Sequence, residues 1–367
     1  MNKVKIIGAG SIGNHMANAC REFGWSVLLC DNDPEALLRT KNDIYPERYG
    51  RWDDGIKLST MEDSPKDNYD IIIIGTPPQT HIDIAIDTIK YDNPKLLMIE
   101  KPLSTPDLNR CDEFYSIKEN SKTIVTVGYN HLLGPNTIEA EKLLSEKIVG
   151  DILHIESTFN EYWGGIFLAH PWLDGPQDSY LGFWKKGGGA SGEHSHAANL
   201  LIHFLRFLNK GRINEVDAFM DIVQDGIMDY DKICKINVKT VSGFMGTISQ
   251  DVITKPTQKK IRFQGSDGFL EWHMGYHKDT HAIIYQIGNE DIKEILLPST
   301  RRDDFILEVQ HLDDLLTGKV KIATSPVNVD RGLDTMLLLS AAHLSNSKKR
   351  RVSISNKDYN QNTFEVL

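Results

Sequence analysis

A short β-branched run near the N-terminus leads directly into a glycine-rich turn. Val4–Ile7 is followed by Gly8-Ala9-Gly10-Ser11-Ile12-Gly13, and a helical pattern continues to about Phe23. In a G-x-G-x-x-G motif between a strand and a helix, the first glycine allows the tight turn, the second lets the backbone approach a pyrophosphate, and the third allows close helix–strand packing. The helix N-terminus supplies N–H groups and the positive end of the helix dipole. The motif predicts a dinucleotide site at Gly8, Gly10, Ser11, Ile12 and Gly13.

The first third of the chain alternates between strand and helix patterns. Further strands are predicted over 26–30, 70–74, 95–100 and 123–128, and the second lacks alternation, which is typical of a strand buried on both faces. Asp33-Pro34 is expected to begin a helix, with Asp33 as N-cap. Strands that alternate with helices favour a parallel sheet with right-handed crossovers. We therefore expect an α/β Rossmann domain over residues 1–128.

The pattern changes after Tyr129, where most segments are strands. Turn signals such as Gly265-Ser266-Asp267-Gly268 separate them, which favours a large, open, mostly antiparallel sheet. Helices are expected at about 194–208, 303–316 and 328–344. The prediction is an α/β domain over 129–367, whose last helix packs back near the first domain. The predicted strands cover 152–159, 215–223, 233–241, 244–252, 260–264, 268–273 and 281–287.

Composition narrows the classes of partner and compartment. The 367 residues suit two domains, and the net charge of -10 argues against a nucleic-acid partner. No apolar stretch is long enough to span a bilayer, so no membrane partner is expected. The four cysteines are scattered without a Cys-x-x-Cys pair, which fits reduced thiols better than a disulfide framework. A cytoplasmic protein is expected.

Asp31 ends the second predicted strand, at about the distance where an acidic side chain contacts the ribose hydroxyls of a bound dinucleotide. A carboxylate there would repel the 2′-phosphate of NADP, and the residues that follow, Asn32-Asp33-Pro34, include no arginine to accept it. NAD is therefore the expected cofactor. The alternative is that Asp31 only caps the next helix, although Asp33 is better placed for capping.

Several further motifs occur in order along the chain. They include Thr76-Pro77-Pro78 with His81, Glu100-Lys101-Pro102, Gly128-Tyr129-Asn130, Gly187-Gly188-Gly189 with Ser195-His196, and Phe305-Ile306-Leu307-Glu308-Val309. Together with the glycine loop they make the chain resemble the Gfo/Idh/MocA family. The resemblance implies a Rossmann domain joined to an α/β domain whose open sheet mediates homo-oligomerisation. It also implies oxidation or reduction of a secondary alcohol on a sugar, sugar nucleotide or cyclitol.

The resemblance places Lys101 beside the nicotinamide and the reacting hydroxyl, with Thr76, Pro77, His81 and Glu100 at the cofactor. An ammonium at the carboxyl end of a parallel strand lies where ligands collect. There it can stabilise a developing alkoxide or relay its proton. The alternative from the residues alone is a surface lysine before a proline turn.

A second cluster of chemical side chains follows the three glycines. Glu193 and His196 are three residues apart, so one continuous helix would bring them to one face. Imidazole titrates near neutrality, which makes His196 the candidate general base and Glu193 its orienting acid. The chain resembles the family branch with a Glu-x-Ser-His pattern, in which Asn199 replaces a common aspartate. A metal is not expected, because the spacing does not match His-Glu-x-x-His.

Aromatic side chains are dense between 159 and 184, where Asp174 and Asp178 are interleaved with them. Aromatic faces can cover the C–H surfaces of a sugar while polar groups bind its hydroxyls. The candidate substrate residues are Trp163, Trp172, Tyr180 and Asn199, with Tyr129 and Asn130 added by the resemblance. Core packing or a subunit contact is the alternative for each aromatic.

Three other functions remain open. Some relatives are NAD-dependent glycosidases that oxidise a sugar carbon transiently, eliminate the aglycone and then reduce the sugar again. A non-catalytic NAD-sensing regulator could use the same fold, although Lys101 and His196 argue against it. An NADP-linked reductase is the third, which Asp31 disfavours.

Overall fold

The first third of the chain forms the predicted parallel sheet. In the computed structural model, which describes residues 1–66, 68–168, 170–355 and 358–367, six parallel strands pair in the order β3-β2-β1-β4-β5-β6. The strands are β1 (Lys3–Ile7), β2 (Ser26–Asp31), β3 (Ile56–Thr60), β4 (Ile71–Ile74), β5 (Leu96–Ile99) and β6 (Ile124–Val127). The helices of this unit are α1 (Ser11–Glu22), α2 (Pro34–Arg39), α3 (Tyr45–Tyr49), α4 (His81–Asp87), α5 (Cys111–Glu119) and α10 (Arg301–Leu316).

The core of this unit lies between the sheet and helices α1 and α10. All four isoleucines of β4 are 0% exposed, which confirms a central strand covered on both faces. Phe305 of α10 is buried and stacks on His15 of α1 with ring centroids 4.5 Å apart. Asp33 accepts a hydrogen bond from the N–H of Glu35, which confirms it as the N-cap of α2.

The first compact unit is discontinuous in sequence. It contains residues 1–103, 110–130 and 301–329, whereas residues 104–109, 131–300 and 330–367 form the second unit. The division after residue 130 is close to the predicted boundary, but a boundary at 128 alone does not describe the chain. Helix α10 belongs to the first unit, and the last helix belongs almost entirely to the second. The physical reason is that α10 offers an apolar face, including Phe305 and Val309, to the core cluster of the first unit.

The second unit is built on a ten-stranded sheet. The strand order is β14-β13-β12-β11-β7-β10-β9-β8-β15-β16. Within the described residues, neighbouring strands pair antiparallel except β7 and β10, which run parallel. The strands are β7 (Ile152–Asn160), β8 (Ile213–Asp225), β9 (Met228–Thr240), β10 (Met245–Asp251), β11 (Gln258–Gly265), β12 (Gly268–His277), β13 (Thr280–Ile287), β14 (Lys293–Pro298), β15 (Val352–Ile354) and β16 (Phe364–Val366). All seven predicted strands of this region are present, and β14, β15 and β16 were not predicted.

Helices cover part of the second sheet. They are α6 (Pro135–Ser145), α7 (Gly164–Leu168), α8 (Gly189–Glu193), α9 (Ser195–Phe207) and α11 (Val329–Lys348). Helix α9 packs on the sheet: Ser157 of β7 donates to the carbonyl of Ala197 at 2.9 Å, and Phe204 meets Phe263 of β11 edge-on. Short 3₁₀ segments lie at Pro78–Thr80, Asn130–Leu133, Pro176–Asp178, Tyr180–Gly182, Trp184–Lys186, Ile322–Thr324 and Gln361–Thr363, and π-helical turns at Thr40–Ile44 and Thr88–Asp92.

Candidate active site

The glycine loop has the close contacts that its motif predicts. Gly8 has a φ of +109°, and an added β-carbon there would lie 2.6 Å from the carbonyl oxygen of Gly75. A β-carbon at Gly13 would lie 2.0 Å from the carbonyl oxygen of Gly8, so only glycine lets α1 begin this close to the turn. At Gly10 a β-carbon would meet no described atom within 4 Å. The open side of the loop at Gly10 and the N-terminus of α1 therefore fit a pyrophosphate.

Asp31 is joined to the glycine loop by its carboxylate. Its Oδ2 accepts from the N–H of Ala9 at 2.7 Å, and its Oδ1 accepts from the N–H of Asp33 at 2.9 Å. Asp33, and not Asp31, caps α2. The acid at the end of β2 is thus fixed beside the loop, with lone pairs left to accept from ribose hydroxyls.

Sequence reasoning missed Arg48, which lies at the start of α1. Its guanidinium donates to the carbonyl oxygen of Ser11 at 3.0 Å and to the hydroxyl of Ser11 at 2.9 Å. A cation at this point adds to the positive end of the helix dipole. No motif could have identified Arg48, because it is 37 residues from Ser11 and belongs to the short helix α3.

Lys101 lies at the carboxyl edge of the first sheet, as predicted. The backbone ladder continues past the strands on this edge, since the N–H of Glu100 donates to Ile74 at 2.9 Å and that of Gly128 donates to Ile99 at 2.8 Å. Lys101 is half-buried. It follows β5 immediately, where the carboxyl ends of parallel strands leave a crevice for ligands.

His81 ties two segments of this edge together. It is fully buried, and its ring nitrogens lie 2.7 Å from the carbonyl oxygen of Thr76 and 3.0 Å from that of Pro102. Burial lowers the pKa of His81 to about 4, against the opposing effect of the carbonyl groups that face the ring. Both nitrogens thus face backbone carbonyls. This arrangement supports a role in holding the turn after β4, with Thr76 and Pro77, beside Lys101, rather than direct contact with a cofactor.

Glu100 is a buried carboxyl group next to Lys101. It is 6% exposed, and a β-carbon at Gly128 would lie 2.8 Å from its Oε1, so glycine at 128 makes room for it. Burial raises the pKa of Glu100 to about 7, against the opposing effect of Lys101. Glu308 of α10 is also buried, and burial raises its pKa as well, with a further contribution from Glu100. Glu100 and Glu308 are therefore two buried carboxyl groups whose pKa values are raised above the ordinary range.

Replacing Glu100 with glutamine should flatten the pH dependence of stability in the first unit. The folded chain holds the Glu100 proton up to about pH 7, whereas the unfolded chain releases it near the ordinary value of 4.5. The contribution of protonated Glu100 to the free energy of unfolding is complete below the pKa of the unfolded chain. It is lost as pH rises through the pKa of the folded chain. Urea unfolding of Glu100→Gln should therefore lose less stability than wild type between about pH 5 and about pH 8, by on the order of 2 kcal/mol. The exposed Glu62→Gln is the control, and a wild-type pH dependence in Glu100→Gln would contradict the prediction.

Glu193 and His196 lie on two separate helices, the second of which confirms the helix predicted at about 194–208. Glu193 ends α8, His194 has non-helical dihedral angles (φ −95°, ψ 27°), and His196 lies in the first turn of α9. The prediction that one continuous helix brings the two side chains to one face is therefore wrong. At the break, the carbonyl oxygen of His194 accepts from the N–H of Ala197 at 2.9 Å and from the side chain of Gln250 at 2.6 Å.

His196 is in ring contact with a second histidine, which sequence reasoning missed. His131 stacks on His196 with centroids 3.9 Å apart and an interplanar angle of 25°. The stack continues to Phe159 and then to Trp272, with centroids 6.2 Å and 6.1 Å apart. Both histidines are buried, at 7% and 9% exposure. The signal available in the sequence was that His131 directly follows the Gly128-Tyr129-Asn130 motif.

The candidate substrate aromatics lie in different surroundings. Trp163 is 8% exposed and packs against Tyr230 at 4.7 Å, which supports core packing. Trp172 is half-buried and meets His170 edge-on. Tyr180 is half-buried in a 3₁₀ turn just before the glycine segment.

Three further candidates are buried amides or phenols. Asn199 of α9 donates to Thr335 of α11 at 3.0 Å. Tyr129 and Asn130 belong to the first unit and are 1% and 6% exposed. The Oδ1 atoms of Asn130 and Asn199 are buried and have no hydrogen-bond partner among the described residues.

Other chemistries find little support in the described part of the chain. No group of three or more His, Cys, Asp or Glu side chains there is arranged to hold a metal ion. All four cysteines are buried free thiols. Within the same residues, no helix combines the length and hydropathy needed to cross a bilayer.

Two domain models of one family match consecutive parts of the chain. Residues 2–129 match the oxidoreductase family model with an NAD-binding Rossmann fold, and residues 137–271 match the GFO/IDH/MocA C-terminal domain. Two glycosyl hydrolase family 109 proteins are similar in sequence. That of Shewanella woodyi is 25% identical over 161 residues, which is 43% of this chain and 34% of that protein. That of Shewanella pealeana is 24% identical over 341 residues, which is 78% of this chain and 72% of that protein. The first match thus spans about a third of its relative.

Solved structures share the fold over nearly the whole chain. A levoglucosan dehydrogenase in complex with NADH and levoglucosan has a TM-score of 0.75 at 16% identity, covering 96% of this chain and 98% of the other. The WlbA dehydrogenase of Bordetella pertussis with NADH and UDP-GlcNAcA has a TM-score of 0.70 at 17% identity and the same coverage. A putative myo-inositol dehydrogenase from Sinorhizobium meliloti 1021 has a TM-score of 0.71 at 20% identity, covering 96% of this chain and 100% of the other. The two domain models, which together match more than half of the chain, show that it belongs to the Gfo/Idh/MocA family of oxidoreductases, with an NAD-binding Rossmann fold.

Proposed function

We propose that the chain interconverts a secondary alcohol and a ketone on a sugar, sugar nucleotide or cyclitol, with NAD as the redox partner. One observation carries the proposal: the glycine loop, the carboxylate of Asp31 and the ammonium of Lys101 all follow strands of one parallel sheet at its carboxyl edge. That edge is where α/β sheets bind ligands. The substrate class is supported by the sugar and sugar-nucleotide complexes of proteins with the same fold.

NAD supplies the chemistry by accepting a hydride from the alcohol carbon. Ser11 and the N-terminus of α1 would hold the pyrophosphate, and Asp31 would accept from the ribose hydroxyls. The protein must remove the hydroxyl proton and stabilise the alkoxide that develops. We assign proton removal to His196 and alkoxide stabilisation to Lys101, with Glu193 as the residue that orients the imidazole. The assignment requires both side chains to reach the same hydroxyl.

The substrate contacts belong to the same proposal. Because Trp163 is assigned to core packing, Trp172 and Tyr180 remain as the aromatic side chains that would cover the sugar. The candidate polar contacts to its hydroxyls are Tyr129, Asn130 and Asn199. We also propose homo-oligomers through the large sheet, on which Phe219 and Met245 are 71% and 62% exposed. Light scattering of the purified chain measures the oligomeric state. A monomer at all concentrations would contradict that part.

The test of the activity is a screen of sugars, sugar nucleotides and cyclitols with NAD, in which the absorbance of NADH is followed. Accumulation of NADH with one class of compound supports the proposal. Mass spectrometry of the product should show the loss of two hydrogens. If NAD binds but no compound in any of the three classes is oxidised or, with NADH, reduced, the proposal fails and a regulatory role is favoured.

A second function, NAD-dependent glycoside cleavage, is favoured by one finding. Both sequence relatives described above are glycosyl hydrolase family 109 proteins. Such an enzyme oxidises a sugar carbon transiently and reduces it again, so glycoside is cleaved without net NADH. Incubation of aryl glycosides with the chain and NAD separates the two functions. Release of the aglycone at constant NADH supports cleavage, whereas stoichiometric NADH without aglycone release supports the dehydrogenase.

The cofactor preference gives a further prediction. NAD should bind more tightly than NADP, because the Asp31 carboxylate would face the ribose and repel a 2′-phosphate. Asp31→Asn keeps an acceptor for the N–H of Ala9 but removes the charge, so the ratio of the two affinities should shrink by about tenfold, which corresponds to roughly 1.4 kcal/mol. The gain for NADP should exceed any gain for NAD.

Calorimetric titration with each cofactor measures this preference. Asp33→Asn is the matched control, since Asp33 caps α2 two residues away and should leave the ratio unchanged. Equal affinities of wild type for NAD and NADP would contradict the role of Asp31.

A further inference from the structure

A buried carboxylate lies directly beneath the glycine segment that leads to His196. Asp231 of β9 is 0% exposed. Its Oδ2 accepts from the N–H of Ser191 at 2.6 Å, and its Oδ1 accepts from the Ser191 hydroxyl at 3.1 Å. A β-carbon at Gly189 would lie 2.0 Å from Oδ1. The carboxylate and the glycine thus fit each other, and Asp231 holds the first turn of α8.

Gln250 on the neighbouring strand β10 holds the other end of α8. It is also 0% exposed, and its amide donates to the carbonyl oxygen of His194 at 2.6 Å and approaches that of Ser191 at 3.4 Å. Gln250 pairs with Cys234 in the β9–β10 register, three residues from Asp231. Two buried polar side chains from adjacent strands therefore hold both ends of the segment 189–194.

The same network reaches a third element. The hydroxyl of Ser191 lies 3.0 Å from Nε2 of His343 on α11. His343 in turn stacks on Trp184, with centroids 4.5 Å apart and an interplanar angle of 14°. Trp184 begins the 3₁₀ turn immediately before the glycines. The segment 184–194 is thus held by β9, β10 and α11 together.

Placing a carboxyl group here is costly for the fold. Burial raises the pKa of Asp231 to about 7, which shows that the site disfavours the charged form. An apolar side chain would avoid this cost but would leave the N–H of Ser191 without its acceptor. The buried Asp231 therefore fixes the position of the backbone at Ser191, which an apolar side chain of similar size could not do.

We propose that Asp231, with Gln250, is a positioning residue that fixes α8 and its junction with α9, and so sets where Glu193 and His196 stand in the active site. The inference rests on the proposed role of His196. Asp231 itself contacts neither substrate nor cofactor in this proposal. It acts through Ser191, two residues before Glu193, while Gln250 acts on the backbone of His194, two residues before His196.

The test compares Asp231→Ala, Asp231→Asn and Gln250→Ala in the full chain with Asp221→Asn as control. Asp221 lies on the adjacent strand β8 with a side chain 50% exposed, and it pairs with Lys232 at 2.8 Å. Asparagine retains an acceptor for the N–H of Ser191, whereas alanine removes it. Hydrogen exchange of the peptide covering 187–196 should accelerate at least tenfold in Asp231→Ala and Gln250→Ala. It should stay near wild type in Asp231→Asn and Asp221→Asn.

The kinetic arm uses the substrate found in the NADH screen. Asp231→Ala should lower kcat at least tenfold while the Kd for NAD stays within twofold of wild type, and Asp231→Asn should recover most of the loss. Wild-type kcat in a folded Asp231→Ala, or unchanged exchange over 187–196, would overturn the proposal. Should Asp231→Ala not fold, Gln250→Ala decides in the same way, with accelerated exchange and lowered kcat expected and wild-type values overturning the proposal.

The exchange arm needs no substrate, so failure of the proposed function can be distinguished from failure of this inference. If the wild-type chain oxidises nothing, the exchange data alone decide whether Asp231 and Gln250 hold the segment. If the chain is active and exchange accelerates but kcat does not change, the segment is held for another reason and the positioning role is overturned.

Discussion

Lys101→Ala is expected to lower kcat by about a hundredfold or more, which is the usual loss when one group that stabilises a developing oxyanion is removed. The Kd for NAD and the unfolding midpoint should stay close to wild type. Lys101 is half-buried and follows β5 at the carboxyl edge, whereas the glycine loop and Asp31 hold the cofactor through other residues. Steady-state kinetics, calorimetry and thermal unfolding measure the three quantities.

The same strand provides the control for this experiment. Lys95 lies at the opposite, amino end of β5, with a side chain 72% exposed and paired with Asp70 at 2.7 Å. Lys95→Ala changes the same charge on the same strand but at the wrong edge of the sheet, so it should leave kcat unchanged. Wild-type turnover in Lys101→Ala would show that Lys101 is a surface residue without a role in the reaction.

His196→Ala is expected to remove most turnover and to abolish the inflection in the pH–rate profile of alcohol oxidation. General-base catalysis commonly contributes roughly a hundredfold to ten-thousandfold. Oxidation by the wild-type chain should rise with pH as the imidazole loses its proton. The exposed His277→Ala is the control histidine and should keep the wild-type profile. An unchanged inflection in His196→Ala would place the base elsewhere, with Lys101 the next candidate.

Glu193→Gln tests the acid assigned to orient His196. Removing the negative charge should move the inflection to lower pH and reduce the maximal rate, because a less basic imidazole is a poorer proton acceptor. The direction of movement is the test, since a coupled pair titrates as a unit. An inflection that does not move would leave Glu193 only as the last residue of α8.

His131→Phe adds a variant that the structure alone identifies. Phenylalanine can keep the stack on His196 and Phe159, but it cannot carry a charge. Two imidazoles whose centroids are 3.9 Å apart cannot both be protonated without repulsion. If His131 shares a proton with His196, the profile of His131→Phe should become a simple one-proton curve. A two-step profile in this variant would exclude His131 as the second group.

Local sequence patterns predicted the elements that depend on local physics. The strand–glycine–helix order, the buried run of four isoleucines in β4 and the cap at Asp33 are set by residues close together in sequence. So is the position of Lys101 after β5, because the strand pattern ends there. The strands β3, β14, β15 and β16 were missed because they lie at or near sheet edges, where short or exposed strands lack a clear apolar pattern.

The sequence by itself determined the two sheets, the glycine loop with Asp31, and the place of Lys101 on the carboxyl edge, since each follows from strand periodicity and turn chemistry. Only the tertiary structure decided that α10 joins the first unit, that Gln250 donates to the carbonyl oxygen of His194 at the helix break, and that His131 stacks on His196. The physical reason is distance along the chain. These contacts join residues more than fifty positions apart. In the same way, the hydrogen-bond partner of the buried Asp231 side chain is set only when the sheet brings Ser191 within hydrogen-bonding distance.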